Sequence, residues 1–358
     1  MKPRILLGFV SYGPYHHARL RACIEMNPNW QVLGWELSSS QLEYGWQHRD
    51  SECLHTVTTT PLESFGTLQW LIQVWQDLNN LQPMACVIAG YSHPGMLAAF
   101  LWCRFHRRAV VIMSDSTENN SPRWQIVEWI KSKILRMYDS ALVAGRLHRD
   151  YFVRLNFPIN HIQTGYDVVD NAAYTLSQPK PAIVHRPYFL VVCRFVPIKN
   201  LTRVVDAYAG YIKTCGMDRP WSLVICGDGP LHTEVECQIS SLGLSDYILL
   251  PGFLQMDQLL PFFHHAQAFI QASLRETWGL VVNEAMAAGL PVIVSDTCGC
   301  FPDLVQEGVN GFGFNPYDSS ELTELMVRIH QMPEAERKQM GTNGQRWINE
   351  THSLEHFA

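Results

Sequence analysis

The chain holds ten cysteines in 358 residues, yet it has no Cys-x-x-Cys pair and no regular cysteine spacing. The nearest two, in Cys298-Gly299-Cys300, are too close and too isolated for a structural zinc site, so no metal is expected. Reduced thiols of a cytoplasmic protein are the expectation. There is no Lys/Arg run, and the net charge is −6, which excludes a nucleic-acid footprint. No apolar stretch is long enough to span a bilayer. The apolar start, Ile5 to Val10, runs directly into Ser11-Tyr12-Gly13 and a helical pattern. It reads as a first buried strand rather than a signal peptide. No Gly-x-Gly-x-x-Gly follows that strand, which disfavours a dehydrogenase. A Gly-Lys pair is also missing, against a phosphate-loop NTPase, as is Gly-x-Ser-x-Gly, against a typical α/β-hydrolase.

What is present is material for two cores. Hydrophobic residues make up 47% and charged residues 17%, and a chain of this length exceeds one comfortable core. Short apolar runs alternate with amphipathic stretches, the rhythm of a parallel, doubly wound sheet. Strands are expected at Ile5–Val10, Val32–Leu37, Ala85–Ala89, Ala109–Met113 and Ser140–Ala144, with helices at His17–Met26, Thr67–Leu78, Gly95–Phe105 and Trp124–Met137. Near Asn171–Pro187 the composition is that of a linker. The rhythm then restarts, with strands at Tyr188–Cys193, Trp221–Cys226, Tyr247–Leu250, Ala268–Gln271 and Pro291–Ser295. Helices are expected at Leu201–Cys215, Leu231–Leu242, Leu280–Ala288, Glu321–Met332 and Glu334–Asn349. The expected domains are 1–170 and 171–346, each doubly wound and Rossmann-like, with a tail at 347–358 that packs back on the first. Ligands of such sheets sit beyond the carboxyl ends of the strands, so a ligand is expected in a cleft that the two halves face.

The second half carries the chemistry. In Ser273 to Pro291, Glu276 and Glu284 are separated by seven residues. Glu276 falls after a strand, Gly279 permits a tight turn, and Glu284 lies inside the following helix, which Gly289 and Pro291 stop. Eight fully helical residues rise roughly 12 Å, too far for paired hydrolytic carboxylates. The two suit opposite ends of one extended ligand, with a helix N-terminus offering N–H groups to phosphate. An exposed Glu276 and a solvated Glu284 are the plain alternative. Arg194, Lys199 and Asn200 follow another strand end and could neutralise a diphosphate, or be surface charges. Cys226-Gly227-Asp228-Gly229-Pro230 ends a third strand, where glycines let backbone approach a ligand; alone it is an ordinary turn.

Together these segments resemble family 4 of the retaining glycosyltransferases, of GT-B fold. The Glu-x7-Glu signature matches Glu276 and Glu284, with the aromatic-Gly-Leu at Trp278, Gly279 and Leu280. The basic pair matches Arg194 and Lys199 with Asn200, and the Gly-Asp-Gly-Pro turn matches Gly227 and Asp228. The resemblance implies that Glu276 contacts the donor sugar, Glu284 the ribose, and Arg194 with Lys199 the diphosphate. It implies a retaining, metal-independent hexosyl transfer in which the leaving phosphate helps deprotonate the acceptor. No cofactor is then required beyond a UDP-, GDP- or ADP-sugar as substrate. The absence of Asp-x-Asp weighs against the metal-dependent alternative fold. The first half departs from the pattern: the loop after the first strand keeps one glycine, Gly13. His93 stands where a functional histidine is expected, with Tyr91 the choice if the register shifts. His16, Tyr91 and Asp115 are assigned to the acceptor side.

The acceptor is open, with a carbohydrate or lipid-linked molecule, such as a polysaccharide precursor, as the expectation. Aromatic loops containing Tyr12, Tyr15, Tyr44 and Trp46 suit it, or serve core packing. The segment Arg123 to Arg136 is amphipathic and basic, with a core face at Val127, Ile130, Ile134 and Met137. Trp129, Lys131, Lys133 and Arg136 could touch anionic lipid at the inner face of a membrane; the competing reading is an ordinary packed helix with solvated cations. The alternative functions are a GT-B sugar-nucleotide epimerase or phosphorylase, or a degenerate scaffold that holds nucleotide without chemistry.

Overall fold

Strand β1 (Arg4–Phe9) is buried along most of its length and feeds helix α1 (Pro14–Met26), whose first residue is a proline preset for a helix start. The same unit repeats along the chain. β2 (Gln31–Ser38), β3 (Leu54–Thr58), α2 (Thr67–Leu81), β4 (Ala85–Ala89), α3 (Pro94–Phe105) and β5 (Ala109–Ser114) follow. Then come α4 (Gln125–Leu135), β6 (Ser140–Val143), α5 (Arg146–Arg154) and β7 (Ile162–Thr164). The computed structural model describes residues 2–40, 52–118, 124–175, 182–215 and 220–358. Tyr44, Trp46 and Arg123 lie outside the described residues.

The chain divides into two units, 1–170 with 353–358, and 171–352. In the first, seven parallel strands run in the order β3-β2-β1-β4-β5-β6-β7. Both faces are covered, so its strands read as apolar runs. One core gathers Trp35, Trp70, Trp102, Phe100 and Phe152, all nearly inaccessible. The second unit begins with the short α6 (Asn171–Tyr174) and then β8 (Tyr188–Val192), α7 (Leu201–Cys215), β9 (Ser222–Cys226) and α8 (His232–Ser241). β10 (Ile248–Gly252), α9 (Met256–His265), β11 (Ala268–Gln271), α10 (Leu280–Ala287) and β12 (Val292–Ser295) continue it. It closes with α11 (Phe301–Leu304), β13 (Gly311–Phe314), α12 (Ser319–Gln331) and α13 (Glu334–Thr351). Its six parallel strands run β10-β9-β8-β11-β12-β13. The end of the second domain expected at 346 falls inside α13, and the chain joins unit 1 from Ser353 onward. There α14 (Leu354–Phe357) packs Leu354 and Phe357 into the cluster of Leu7, Phe9 and Tyr12.

Of the expected core face of α4, only Ile134 packs against the core. Val127, Ile130 and Met137 are exposed, as are Trp124, Ile126 and Trp129, while Ser132 and Leu135 turn inward. The polar side faces the protein because Glu128 accepts from Tyr151 Oη (2.7 Å) and Lys131 (2.8 Å), which satisfies it under the helix. No helix among the described residues is long and apolar enough to cross a membrane.

Candidate active site

In each sheet the order reverses at one point, between β1 and β4 in the first unit and between β8 and β11 in the second. Loops leaving the carboxyl ends of two such strands diverge and leave a crevice. In unit 2 those loops carry Arg194 to Asn200 after β8, and Ala272 to Gly279 after β11. Lys199 Nζ donates to Glu276 Oε2, with both side chains largely but not fully buried. Gln271 Nε2 (3.2 Å) and Ser273 Oγ (3.1 Å) reach the same oxygen. Lys199, expected to neutralise a diphosphate, is thus paired to a carboxylate. Arg194 is exposed earlier in the same loop as Lys199. The thiol of Cys193 beside this pair is pushed up to about 12 by burial, so it stays protonated and adds no charge.

The loop geometry explains the glycines. Gly279 caps α10 at φ 107°, in the left-handed region open to glycine. At the other end Gly289 N–H bonds to Met286 O and Leu290 N–H to Ala285 O, a Schellman stop with Gly289 at φ 78°. Gly227 and Gly229 are required by the packing of the loops themselves. A Cβ at Gly227 would stand 1.8 Å from Cys193 O, and one at Gly229 would stand 2.7 Å from Phe195 O. They seat the turn after β9 against the loop after β8 and so brace the backbone around Arg194. Asp228 at the tip is exposed and bonds its own loop, to Gly229 N–H (2.7 Å) and His232 (3.0 Å).

Three residues assigned to the donor also have hydrogen-bond partners within the protein. Asn200, in the left-handed region at φ 61°, donates to Ala272 O (3.1 Å) and Pro316 O (2.8 Å) and accepts from Arg203 (2.9 Å). It ties the β8 and β11 loops together. Trp278 is 1% exposed and donates to Asn283 Oδ1 at 2.9 Å. Its ring is core, which sets the angle at which α10 leaves the loop. Glu284 is 3% exposed and accepts from Tyr174 Oη at 2.7 Å. Leu280, the first residue of α10, is half-buried. Sequence reasoning missed Tyr174, Gln271, Ser273 and Gly299. A Cβ on Gly299 would meet Thr277 O at 1.7 Å, so the Cys298–Cys300 turn lies flush on the Glu276 loop. The signal for Gln271 was available: an amide at the end of an apolar strand.

In unit 1, Gly13 N–H donates to His16 Nδ1 (2.9 Å), and His16 stacks on Phe9 with ring centroids 4.0 Å apart. Burial lowers His16 to about 3, with Arg19 and His17 adding repulsion. His93 caps α3, its Nδ1 accepting from Gly95 N–H at 3.1 Å, and burial lowers its pKa as well. Both imidazoles are therefore neutral with the proton on Nε2, so they can donate and cannot abstract a proton through Nδ1. Tyr91 is half-buried against the core, and Asp115 follows β5. Asp115 adds to the rise of Asp167, which burial pushes up to about 7 although Arg19 bonds to it at 3.4 Å. Arg19 also donates to Val168 O (3.0 Å) and lies over the rings of Tyr166 and Phe357. Among the described residues no group of three or more His, Cys, Asp or Glu side chains could hold a metal ion.

A family model described as glycosyl transferases group 1 matches residues 175–347. Alpha-monoglucosyldiacylglycerol synthase of Acholeplasma laidlawii is 33% identical over 145 residues, 40% of this chain and 35% of that protein. Sulfoquinovosyl transferase SQD2 of Arabidopsis thaliana is 36% identical over 112 residues, 30% of this chain and 21% of that one. The chain spans about a third or less of the length of these two relatives. Anabaena HepE, solved with UDP and glucose, superposes with a TM-score of 0.74 at 16% identity, covering 99% of this chain and 96% of that one. The fold is GT-B, and residues 175–347 within the second unit are similar to the glycosyl transferases group 1.

Proposed function

We propose that the protein is a retaining glycosyltransferase that moves a sugar from a nucleotide-sugar to a carbohydrate or lipid-linked acceptor. The observation that carries this reading is the Lys199–Glu276 pair at the β8/β11 switch point, beside exposed Arg194. A diphosphate fits the two cations, and Glu276 accepts hydroxyl hydrogen bonds from the sugar. Glu284, oriented by Tyr174, is the ribose acceptor in this reading. Gly227, Asp228 and Gly279 shape the backbone under the diphosphate. The second unit is the nucleotide-sugar side and residues 1–170 the acceptor side, with His93 Nε2 as a donor to a sugar or acceptor hydroxyl. Gly13 is a close-approach position for the donor, and His16, Tyr91 and Asp115 line the acceptor side.

The bond from the sugar's anomeric carbon to the leaving phosphate oxygen breaks, and the bond to the acceptor oxygen forms on the same face. The acceptor proton passes to the leaving diphosphate. No enzyme nucleophile or metal ion is needed, because Lys199 and Arg194 balance the charge that develops on the leaving group. With an active donor and acceptor, NMR of the product is expected to show the donor's anomeric configuration, at an unchanged rate in excess EDTA. Inversion, or loss of activity restored by a divalent cation, contradicts this mechanism.

The acceptor is proposed to be lipid-linked, and the protein to be peripheral on an anionic bilayer. Support comes from α4, where Ile126, Val127 and Ile130 form an outward apolar stripe flanked by Trp129, Lys133 and Arg136. Lys133 lies over the Trp129 ring at 5.5 Å. An apolar face with cations at its margin is the arrangement of interfacial helices. Co-sedimentation with phosphatidylglycerol vesicles at low salt is expected, lost with phosphatidylcholine and in an Ile126→Ser, Trp129→Ser variant. Equal recovery of the variant with the anionic vesicles would remove α4 from the account.

A further inference from the structure

Strand β11 reads Ala-Phe-Ile-Gln, and all four residues are essentially inaccessible. A strand buried on both faces is built from apolar residues, and an amide there is costly unless it is bonded. Gln271, 2% exposed, is bonded: its Nε2 donates to Ser273 Oγ (3.0 Å) and Glu276 Oε2 (3.2 Å). A carboxylate only accepts, so the amide must turn its NH2 toward it. Ser273, 1% exposed, donates to the same oxygen, and its Oγ takes the bond from Gln271. With Lys199 as the third donor, Glu276 takes three side-chain hydrogen bonds on Oε2.

We propose that Gln271 and Ser273 are positioning residues. They hold Oε2 of Glu276 toward Lys199 and present Oε1 in a fixed direction to the hydroxyls of the donor sugar. The inference rests on the transferase reading and adds to it the residues that fix sugar recognition. Without the amide and hydroxyl, the carboxylate can rotate to face the Lys199 ammonium with both oxygens, and Oε1 is lost to the sugar. In this reading the diphosphate meets Lys199 and Arg194, whereas Gln271 and Ser273 act only through Glu276. Disruption therefore acts on the sugar alone.

The test compares binding of a nucleoside diphosphate with binding and turnover of the corresponding nucleotide-sugar, in wild type, Gln271→Leu and Ser273→Ala. Expected for Gln271→Leu is a drop in kcat/KM of roughly ten- to a hundredfold, the size of a lost hydrogen bond to a charged group, with diphosphate affinity within about twofold of wild type on the same scale. Ser273→Ala, which leaves the strand intact, is expected to shift the same quantity in the same direction. Gln271→Glu supplies a separate readout. Its new carboxyl mimics the amide donor only while protonated, so its kcat/KM is expected to decline with rising pH where wild type does not. Wild-type turnover in both Gln271→Leu and Ser273→Ala, or parallel loss of diphosphate and sugar binding, would overturn the positioning role. Absence of any diphosphate binding by wild type would overturn the transferase reading and this inference with it.

Discussion

Replacing Glu276 by alanine is expected to lower the rate of sugar transfer by on the order of a hundred- to a thousandfold, the cost of deleting one preorganised electrostatic partner of a transition state. The folded structure should survive, because Glu276 sits in a loop braced by its backbone. Its carbonyl accepts from Gly299 N–H at 3.1 Å, and Cys300 N–H bonds to Trp278 O at 3.1 Å. Glu276→Gln separates charge from shape. The carbonyl end of the new amide would face Lys199, Gln271 and Ser273, all donors, which turns the NH2 outward to the sugar. That reverses the polarity offered to the donor, so the amide is expected to be nearly as inactive as alanine. Steady-state transfer by both variants, with circular dichroism and melting as the fold control, is the check. Near-wild-type turnover in either would remove Glu276 from the site.

Lys199→Ala should act on a different quantity. In the proposed reading its ammonium meets the diphosphate, and charge-assisted contacts are worth roughly ten- to a hundredfold in affinity. Loss of about that factor in nucleoside diphosphate binding is expected, with a weaker salt dependence because one cation is gone. The variant also leaves Glu276 without its counter-charge, though Gln271 and Ser273 still hold Oε2. Sugar recognition should therefore survive better than diphosphate binding, the reverse of the pattern expected for Gln271→Leu. Unchanged diphosphate affinity at low salt would mean that Lys199 serves only to hold Glu276.

Much of the second unit was legible because its signals are local. Ala268–Gln271 and Leu201–Cys215 have the bounds their apolar patterns predict, and Gly279 and Gly289 sit where left-handed backbone bounds α10. Three strands escaped for physical reasons. β3 is half-buried throughout and half polar, β7 has three residues, and β13 reads Gly-Phe-Gly-Phe, which looks like a turn. The glycines in β13 are set by tertiary packing, since a Cβ at Gly313 would meet the Phe301 ring at 2.4 Å. Helix α5 escaped because four of its nine residues are Arg or Asp, and α9 because Pro261 interrupts its pattern.

The chemistry was legible as residue types and less so as geometry. Spacing placed Glu276 and Lys199 after strand ends, but only the β8/β11 neighbourhood brings them together. Asn200 and Trp278 match motif positions yet spend their polar atoms inside the protein. Motif letters alone do not distinguish a side chain that holds a ligand from one that holds the loop. On α4 the apolar stripe expected to face the core meets it only at Ile134, while Val127, Ile130 and Met137 face outward. A sequence pattern gives the stripe, while the partners of Glu128 decide which way it faces.

The most direct test of the central claim is calorimetric titration of the intact protein with UDP, GDP and ADP. The account predicts that one nucleoside diphosphate binds clearly more tightly than the other two, and that Lys199→Ala weakens that one. Heats indistinguishable from dilution for all three would contradict it and leave a GT-B scaffold that holds no nucleotide.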